Sequence, residues 1–238
     1  MRLLSTLGLV TFLSVGAAYS AQGQSLSAQQ IMDRTLSVYA TCHSYVDEGE
    51  VRTIFQQPNG RRTVSKPFST AFVRPSDFRF EYKERRGEDE WNSYIIWQGP
   101  ESVKTWWSIK PGVQTPPNLS FALGAAAGVS SGSSATVPTL LMPEMTMGNR
   151  IKSLSELRLI GEEELNGRNA YKIEGTDLRK RTVTLWVDSA SMLIVKIFQK
   201  TIFPTFETET TTTYKPQVNV SAQGKLAFNP PESGKKSL

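Results

Sequence analysis

The sequence predicts a mainly β protein, one long series of antiparallel strands accompanied by few helices. Three observations carry that expectation. Apolar and polar residues alternate along Ser69–Trp107 and again from Ser155 to Tyr214, the period of two that marks strands with one wet and one apolar face. Pro58-Asn59-Gly60 and Asn166-Gly167 are tight-turn signals between such runs. Only one segment near the start has a strong helical period.

Taken in order, Arg2 is followed by an apolar run from Leu3 to about Val15 and then Ala18-Tyr19-Ser20-Ala21. A short positive end, an apolar core and a small-residue site describe a cleaved secretory leader over 1–20. The run is too short and too rich in Ser, Thr and Gly for a permanent membrane helix. No cysteine follows it to carry a lipid anchor. Ser27-Ala-Gln-Gln30 is a capping box with Leu26 and Ile31 placed as its hydrophobic staple, and Ile31, Thr35, Val38, Tyr39 and Cys42 line one face of a helix over 28–41. Strands are expected over 48–55, 69–74, 77–83, 93–97 and 102–109, joined by short connections and therefore antiparallel.

The alternation breaks between Pro111 and Arg150, a stretch rich in Pro, Gly, Ala and Ser with almost no charge before Glu144. A segment of that length without strand period reads as a lid or mobile loop. Asn118 or Ser120 can cap a short helix through Ala127, and 128–134 reads as a flexible link. Strands resume over 155–159, 170–174, 182–187, 193–200 and 205–214. The Thr210–Thr213 run is expected to be solvated strand, and 233–238 a disordered tail. One domain over 21–232, with the lid insertion at about 111–150, accounts for the whole.

Composition narrows the chemistry. His43 is the only histidine and Cys42 the only cysteine, so a zinc site or a histidine-paired nucleophile has no basis. Cys42 reads as a buried small hydrophobe, with a reactive or intermolecular thiol as the alternative. Glu88-Asp89-Glu90 and Glu162-Glu163-Glu164 read as solvated turns, and no phosphate-cradling glycine loop follows a strand. Catalysis is not supported, and no cofactor or metal is expected. The net charge of +5 is spread among mixed signs and does not describe a nucleic-acid site.

What remains is apolar area. Phe72, Phe78, Phe80, Tyr82, Trp91, Tyr94, Trp97, Trp106 and Trp107 crowd one short region, read here as a single apolar face. Packing into an ordinary sandwich core is one way to cover them. A sheet curled around few helices, with room for a ligand, is the other.

Three segments resemble motifs of the LolA/LolB-like periplasmic lipoprotein carrier superfamily. Val73-Arg74-Pro75-Ser76-Asp77-Phe78-Arg79-Phe80-Glu81-Tyr82 is similar to its RPG-x-FRW-x-Y strand turn. Ile95-Ile96-Trp97-Gln98-Gly99 through Thr105-Trp106-Trp107 is similar to its DG-containing hairpin, with Gln98 in place of the usual Asp. Leu226-Ala227-Phe228-Asn229-Pro230-Pro231 is similar to its closing F-x-F-x-PP. The resemblance implies an incomplete antiparallel β-barrel, a highly curved single sheet, whose hydrophobic cavity is closed by a helical lid and takes acyl chains. It implies that Arg74 holds the lid by hydrogen bonds to lid backbone and that Phe78 lies near the cavity mouth. The 111–150 insertion is longer and richer in Gly and Ser than the family pattern.

The expected ligand-binding residues are Arg74, Phe78, Phe80, Trp97, Trp106, Phe121, Leu140 and Leu141. The expected function is non-enzymatic: an exported periplasmic binding or carrier protein for a hydrophobic ligand. Its partners would be a lipid or acylated protein and membrane-associated donor and acceptor proteins, with no nucleic acid and a monomeric state. The alternative is a periplasmic envelope sensor whose cavity reads a lipid or peptide. In either case Arg74→Leu is expected to trap ligand or block its release.

Overall fold

A computed structural model describes residues 25–145 and 147–230. The expected leader over 1–20, the tail over 233–238 and Pro231 lie outside the described residues. Helix α1 (Ala28–Thr41) opens the fold and has the expected capping box, the Ser27 hydroxyl accepting from the Gln30 backbone while Gln30 accepts from the Ser27 N–H. It buries Ile31, Met32, Thr35 and Tyr39, and Cys42 is buried just beyond it.

Twelve strands then build one antiparallel sheet. They are β1 (Ser44–Gln57), β2 (Gly60–Val73), β3 (Asp77–Arg85), β4 (Trp91–Gln98), β5 (Val103–Trp107) and β6 (Lys110–Gln114) in the first half. The second half holds β7 (Ser155–Leu165), β8 (Arg168–Thr176), β9 (Thr182–Asp188), β10 (Ile194–Ile202), β11 (Glu207–Tyr214) and β12 (Gln217–Val218). Their order is β6-β5-β4-β3-β2-β1-β11-β10-β9-β8-β7, with β12 beside β1. Long β1 joins the two meanders, pairing with β2 through Gln57↔Gly60 and with β11 through Gln56↔Glu207. The outermost strands β6 and β7 do not pair, so the sheet stays open and is not a closed barrel.

The turns form where the sequence placed them. Pro58-Asn59 closes the first hairpin, and Asn166 and Gly167 take φ of 53° and 78°, the doubly left-handed backbone of a twist-matched two-residue loop. Two strands were not expected. Lys110–Gln114 pairs with β5 as β6, so the long insertion starts after Gln114 rather than at Pro111. Strand β12 is only two residues long, too short to leave a periodic signal. Glu162–Glu164 lie within β7 rather than in a turn, where Glu163 accepts from Trp186 Nε1 at 2.9 Å.

The insertion is more ordered than its composition suggests. It holds α2 (Leu119–Ala127), capped by Asn118, followed by the single turns α3 (Ser133–Thr136) and α4 (Pro138–Leu141). The expected flexible link over 128–134 is instead packed: Ser130, Ser133 and Ser134 are buried, and the Ser134 hydroxyl donates to Leu123 O at 3.0 Å. Short polar side chains that satisfy backbone locally can fold a segment that has no apolar period.

One face of the sheet, called inner here, carries Tyr45, Phe68, Phe72, Phe78, Phe80, Tyr82 and Ile96 into a single core with α1 and the insertion. Register divides the aromatic stretch between the two faces. Tyr82 opposes Tyr94, and Tyr94 opposes Trp107, on the inner face. Trp97 opposes Arg79, Trp106 opposes Ile95 and Trp91 opposes Arg85, all on the outer face. The nine aromatics therefore do not share one face, because alternation inside each strand sends neighbours to opposite sides. On the central strands the Thr210–Thr213 run is only half solvated, with Thr212 buried inward.

Gly49 stands where the core leaves no room for a side chain. A Cβ there would collide with the Phe68 ring and the Thr213 carbonyl. Gly49→Ala is expected to destabilise the fold by about 1–3 kcal/mol. Thermal melts should show a drop of about 2–4 °C per kcal/mol, and an unchanged midpoint would mean that Phe68 has room to move.

Candidate functional site

The inner face is a hydrophobic surface covered by α1 and by the insertion. Phe72, Phe78 and Phe80 are fully buried there, and Leu119, Leu123, Val137, Leu140, Leu141 and Met142 of the insertion belong to the same core. Stacked and tilted ring pairs run across it, with Phe68 6.2 Å from Phe80 and Tyr82 5.7 Å from Tyr94. The interior is thus occupied by the insertion's own side chains. The hydroxyls of Thr70 and Tyr82 are buried with no hydrogen-bond partner among the described residues. An orphaned buried hydroxyl costs about 1–3 kcal/mol.

Two cations fasten the cover, and both stand on or directly after β2. The Arg74 guanidinium donates through Nη2 to Leu141 O of α4 at 2.9 Å and to Tyr39 O at 3.1 Å, and through Nε to Cys42 O at 2.8 Å. It also lies 5.2 Å over the Phe72 ring. One planar fork thereby joins the last turn of α1, the end of β2 and the α4 turn of the insertion. This is the geometry only Arg can supply with a single side chain. The second fastening was not read from the sequence. Lys66, nearly buried, donates to Val129 O at 2.6 Å and pairs with Glu84 at 2.9 Å. A lone Lys on an alternating strand leaves no signal that distinguishes it from a solvated one. Asn149 closes the far side of the insertion, donating to Thr136 O at 2.8 Å and to the Thr139 hydroxyl while accepting from the Ile151 N–H at 2.7 Å.

Of the residues singled out in the sequence, Arg74, Phe78, Phe80, Leu140 and Leu141 come together at this sheet–cover boundary. Phe78 is fully buried rather than placed at a mouth. Trp97 and Trp106 are on the other face. There the chain after β12 crosses the sheet: Trp97 Nε1 donates to Leu226 O at 2.7 Å, its ring lies 5.8 Å from Phe228, and Arg79 donates to Ala227 O at 3.0 Å. The aromatic end of the chain is an outer strap, and Trp97 serves it instead of the inner surface. Phe121 faces outward, 60% exposed, where it helps line a half-open cleft of about 310 Å³ between α2 and the β4–β6 edge with Tyr94, Thr105 and Pro116.

A buried polar group sits between β1 and β2. Asp47 accepts from the Tyr45 hydroxyl at 2.7 Å and from the Thr70 N–H at 2.8 Å. Burial raises its carboxyl to about 6, with those two hydrogen bonds opposing the shift. Tyr39 is raised by burial as well, and its hydroxyl accepts from the Ile194 N–H at 3.1 Å, pinning α1 to β10. Burial likewise raises the Cys42 thiol, with Arg74 opposing, which makes it a poor nucleophile. Among the described residues no group of three His, Cys, Asp or Glu could hold a metal ion.

No protein-family model matches the chain, and no curated protein matches it. Solved structures resemble it at low identity. The lipoprotein LppX of Mycobacterium tuberculosis is 12% identical over 79% of this chain and 92% of its own, with a TM-score of 0.44. Pseudomonas aeruginosa MucB, solved in complex with MucA, is 13% identical over 85% of this chain, which spans 61% of that one, with a TM-score of 0.44. A LolA-superfamily protein of Nitrosomonas europaea is 12% identical over 83% of this chain and 96% of its own, with a TM-score of 0.33.

Asp47 makes stability pH-dependent with a defined sign. A carboxyl raised in the fold binds its proton more tightly there than in the unfolded chain. Its contribution is present below the unfolded value of 3.8 and is lost as pH rises through about 6. The loss is on the order of 3 kcal/mol. Denaturation midpoints measured from pH 4 to 7 should fall for the native protein, and that part of the slope should vanish in Asp47→Asn.

Proposed function

We propose that the chain is an exported, non-enzymatic binding protein for a hydrophobic ligand, a lipid or the acyl chains of a lipidated protein. The observation that carries this reading is the three-carbonyl grip of Arg74, which fastens an almost uncharged cover over an aromatic sheet face. A cover held only by packing would need no charged fork at its end. The Arg74 and Lys66 contacts are few, directional and made to backbone carbonyls, so they can be released and re-formed without disturbing the sheet.

In the closed arrangement Leu123, Leu140 and Leu141 fill the space against the inner aromatics. A ligand is bound when the insertion lifts and acyl carbons replace these side chains on Phe72, Phe78 and Phe80. A ligand bearing ester or amide oxygens also partners the orphaned Thr70 and Tyr82 hydroxyls, which a bare hydrocarbon cannot do. Closure then competes directly with the ligand for one surface. Only the difference in ligand affinity between open and closed states shifts that balance. Arg74 favours closure and so favours release. A leader over 1–20 would place the protein in the periplasm; no helix among the described residues is long and apolar enough to cross a membrane.

Arg74→Leu removes three hydrogen bonds to carbonyls, each worth about 1.5–3 kcal/mol when charge-assisted, and leaves the covered face without its latch. The expected outcome is a folded protein that retains co-purified lipid, seen by native mass spectrometry and lipid extraction, and transfers it to acceptor vesicles at least tenfold more slowly. Transfer equal to that of the native protein would sink the latch. An empty interior in both proteins, with a membrane protein co-purifying instead, would favour the sensor reading.

A further inference from the structure

One end of the sheet carries large apolar side chains that the fold leaves in water. The β10–β11 hairpin exposes Ile202 by 78% and Phe203 by 41%, and the β8–β9 turn exposes Leu178 by 82%. Phe203 stacks on Phe206 at 4.4 Å, Phe206 lies 6.4 Å from Phe55 of β1, and the Arg62 guanidinium sits 4.7 Å over the Phe55 ring. The β1–β2 and β10–β11 ends therefore form one unit. The β8–β9 turn is tied to it, since Gln199 of β10 donates to Asp177 at 3.1 Å. Gln199 precedes Ile202 by about 10 Å of strand.

Cations surround these tips. Arg61, Arg62, Arg179 and Lys180 are exposed, and none forms a salt bridge among the described residues. The nearby carboxylates are partly taken up: Asp177 by Arg181, Glu207 by Lys200, and Glu156 by the Thr176 hydroxyl. Glu209 is the remaining acidic group on β11, and the acidic loop at Glu88–Glu90 lies beyond β3, on the other side of β2.

The geometry points to this end as a docking surface for an anionic lipid bilayer. Leu178, Ile202 and Phe203 enter the boundary between headgroups and acyl chains, while Arg61, Arg62, Arg179 and Lys180 meet lipid phosphates. A protein partner fits less well. A stable protein interface needs a contiguous packed area of about 800 Å² per partner. Here the apolar groups are few and come from two turns, Ile202 and Phe203 from one hairpin and Leu178 from another, with cations beside them. A fluid headgroup layer accepts separate insertions. The inference goes beyond ligand binding and does not depend on it, because a protein with an empty interior would dock in the same way.

The test is flotation of the purified chain with phosphatidylcholine vesicles, with and without phosphatidylglycerol. Binding is expected with phosphatidylglycerol present and is weakened by salt. Ile202→Ser with Phe203→Ser should reduce partitioning at least tenfold. Arg179→Gln with Lys180→Gln should reduce it by about fivefold per charge removed. Leu178→Ser, on a separate turn, guards against a local folding defect at the hairpin, and circular dichroism should show all variants folded. No flotation with anionic vesicles, or flotation unchanged by both apolar variants, overturns the proposal. So does a native dimer that Ile202→Ser with Phe203→Ser dissociates, which would assign the patch to a second copy of the chain. Lipid retention by the interior is read separately, so the two proposals fail independently.

Discussion

Everything in this fold follows from a sheet that does not close. Strands β6 and β7 stand at opposite ends of one antiparallel order and never meet. A closed barrel would have no free edges and its strands would surround the lumen on every side. Here the inner aromatics are instead left to whatever lies across them. Helix α1 covers part of that surface with one apolar stripe, and a single stripe is too narrow for the whole. The insertion between β6 and β7 supplies the rest, and it does so at the point in the chain where the two meanders would otherwise have to be joined.

Two kinds of force hold that cover, and they differ in what they determine. Burial of six large side chains from Leu119 to Met142 contributes most of the attraction, at roughly 1.5–3 kcal/mol for each fully buried side chain. Ordering the insertion opposes it at about 1–2 kcal/mol of backbone entropy per residue. Charge-assisted hydrogen bonds add directional attraction at fixed points of the insertion. Arg74 and Lys66 act at two points of the insertion, Leu141 and Val129, from β2 and the residue that follows it. Apolar contact makes the cover adhere, and the cations decide where it sits.

The two faces of the sheet use aromatic residues differently. Inward, rings are packed against each other and against aliphatic side chains. Outward, Trp97 and Phe228 anchor the chain's final crossing through a ring contact and one indole hydrogen bond. Leu226–Phe228 thus form a strap on the outer face, whereas the Arg74 turn forms a fastening on the inner one.

Most strands, the tight turns and the first helix were legible because each is set by neighbours close in the chain: alternation for β3, left-handed backbone at Asn166-Gly167, reciprocal capping at Ser27 and Gln30. The motif around Arg74 likewise pointed to the fastening found there. The face each aromatic occupies was not legible between strands. Trp97 and Phe80 lie in neighbouring strands of equal aromatic character, and only the pairing Arg79↔Trp97 places Trp97 outside. Lys66 and Val129 are brought together across a distance that leaves no mark in local sequence. The insertion's order was hidden for the same reason, since its serines are satisfied by carbonyls that exist only once α2 and α3 are packed. Local chain chemistry decides which segments are strand, turn or helix; register and packing decide which side chains face each other, because those contacts depend on the partner and not on the segment.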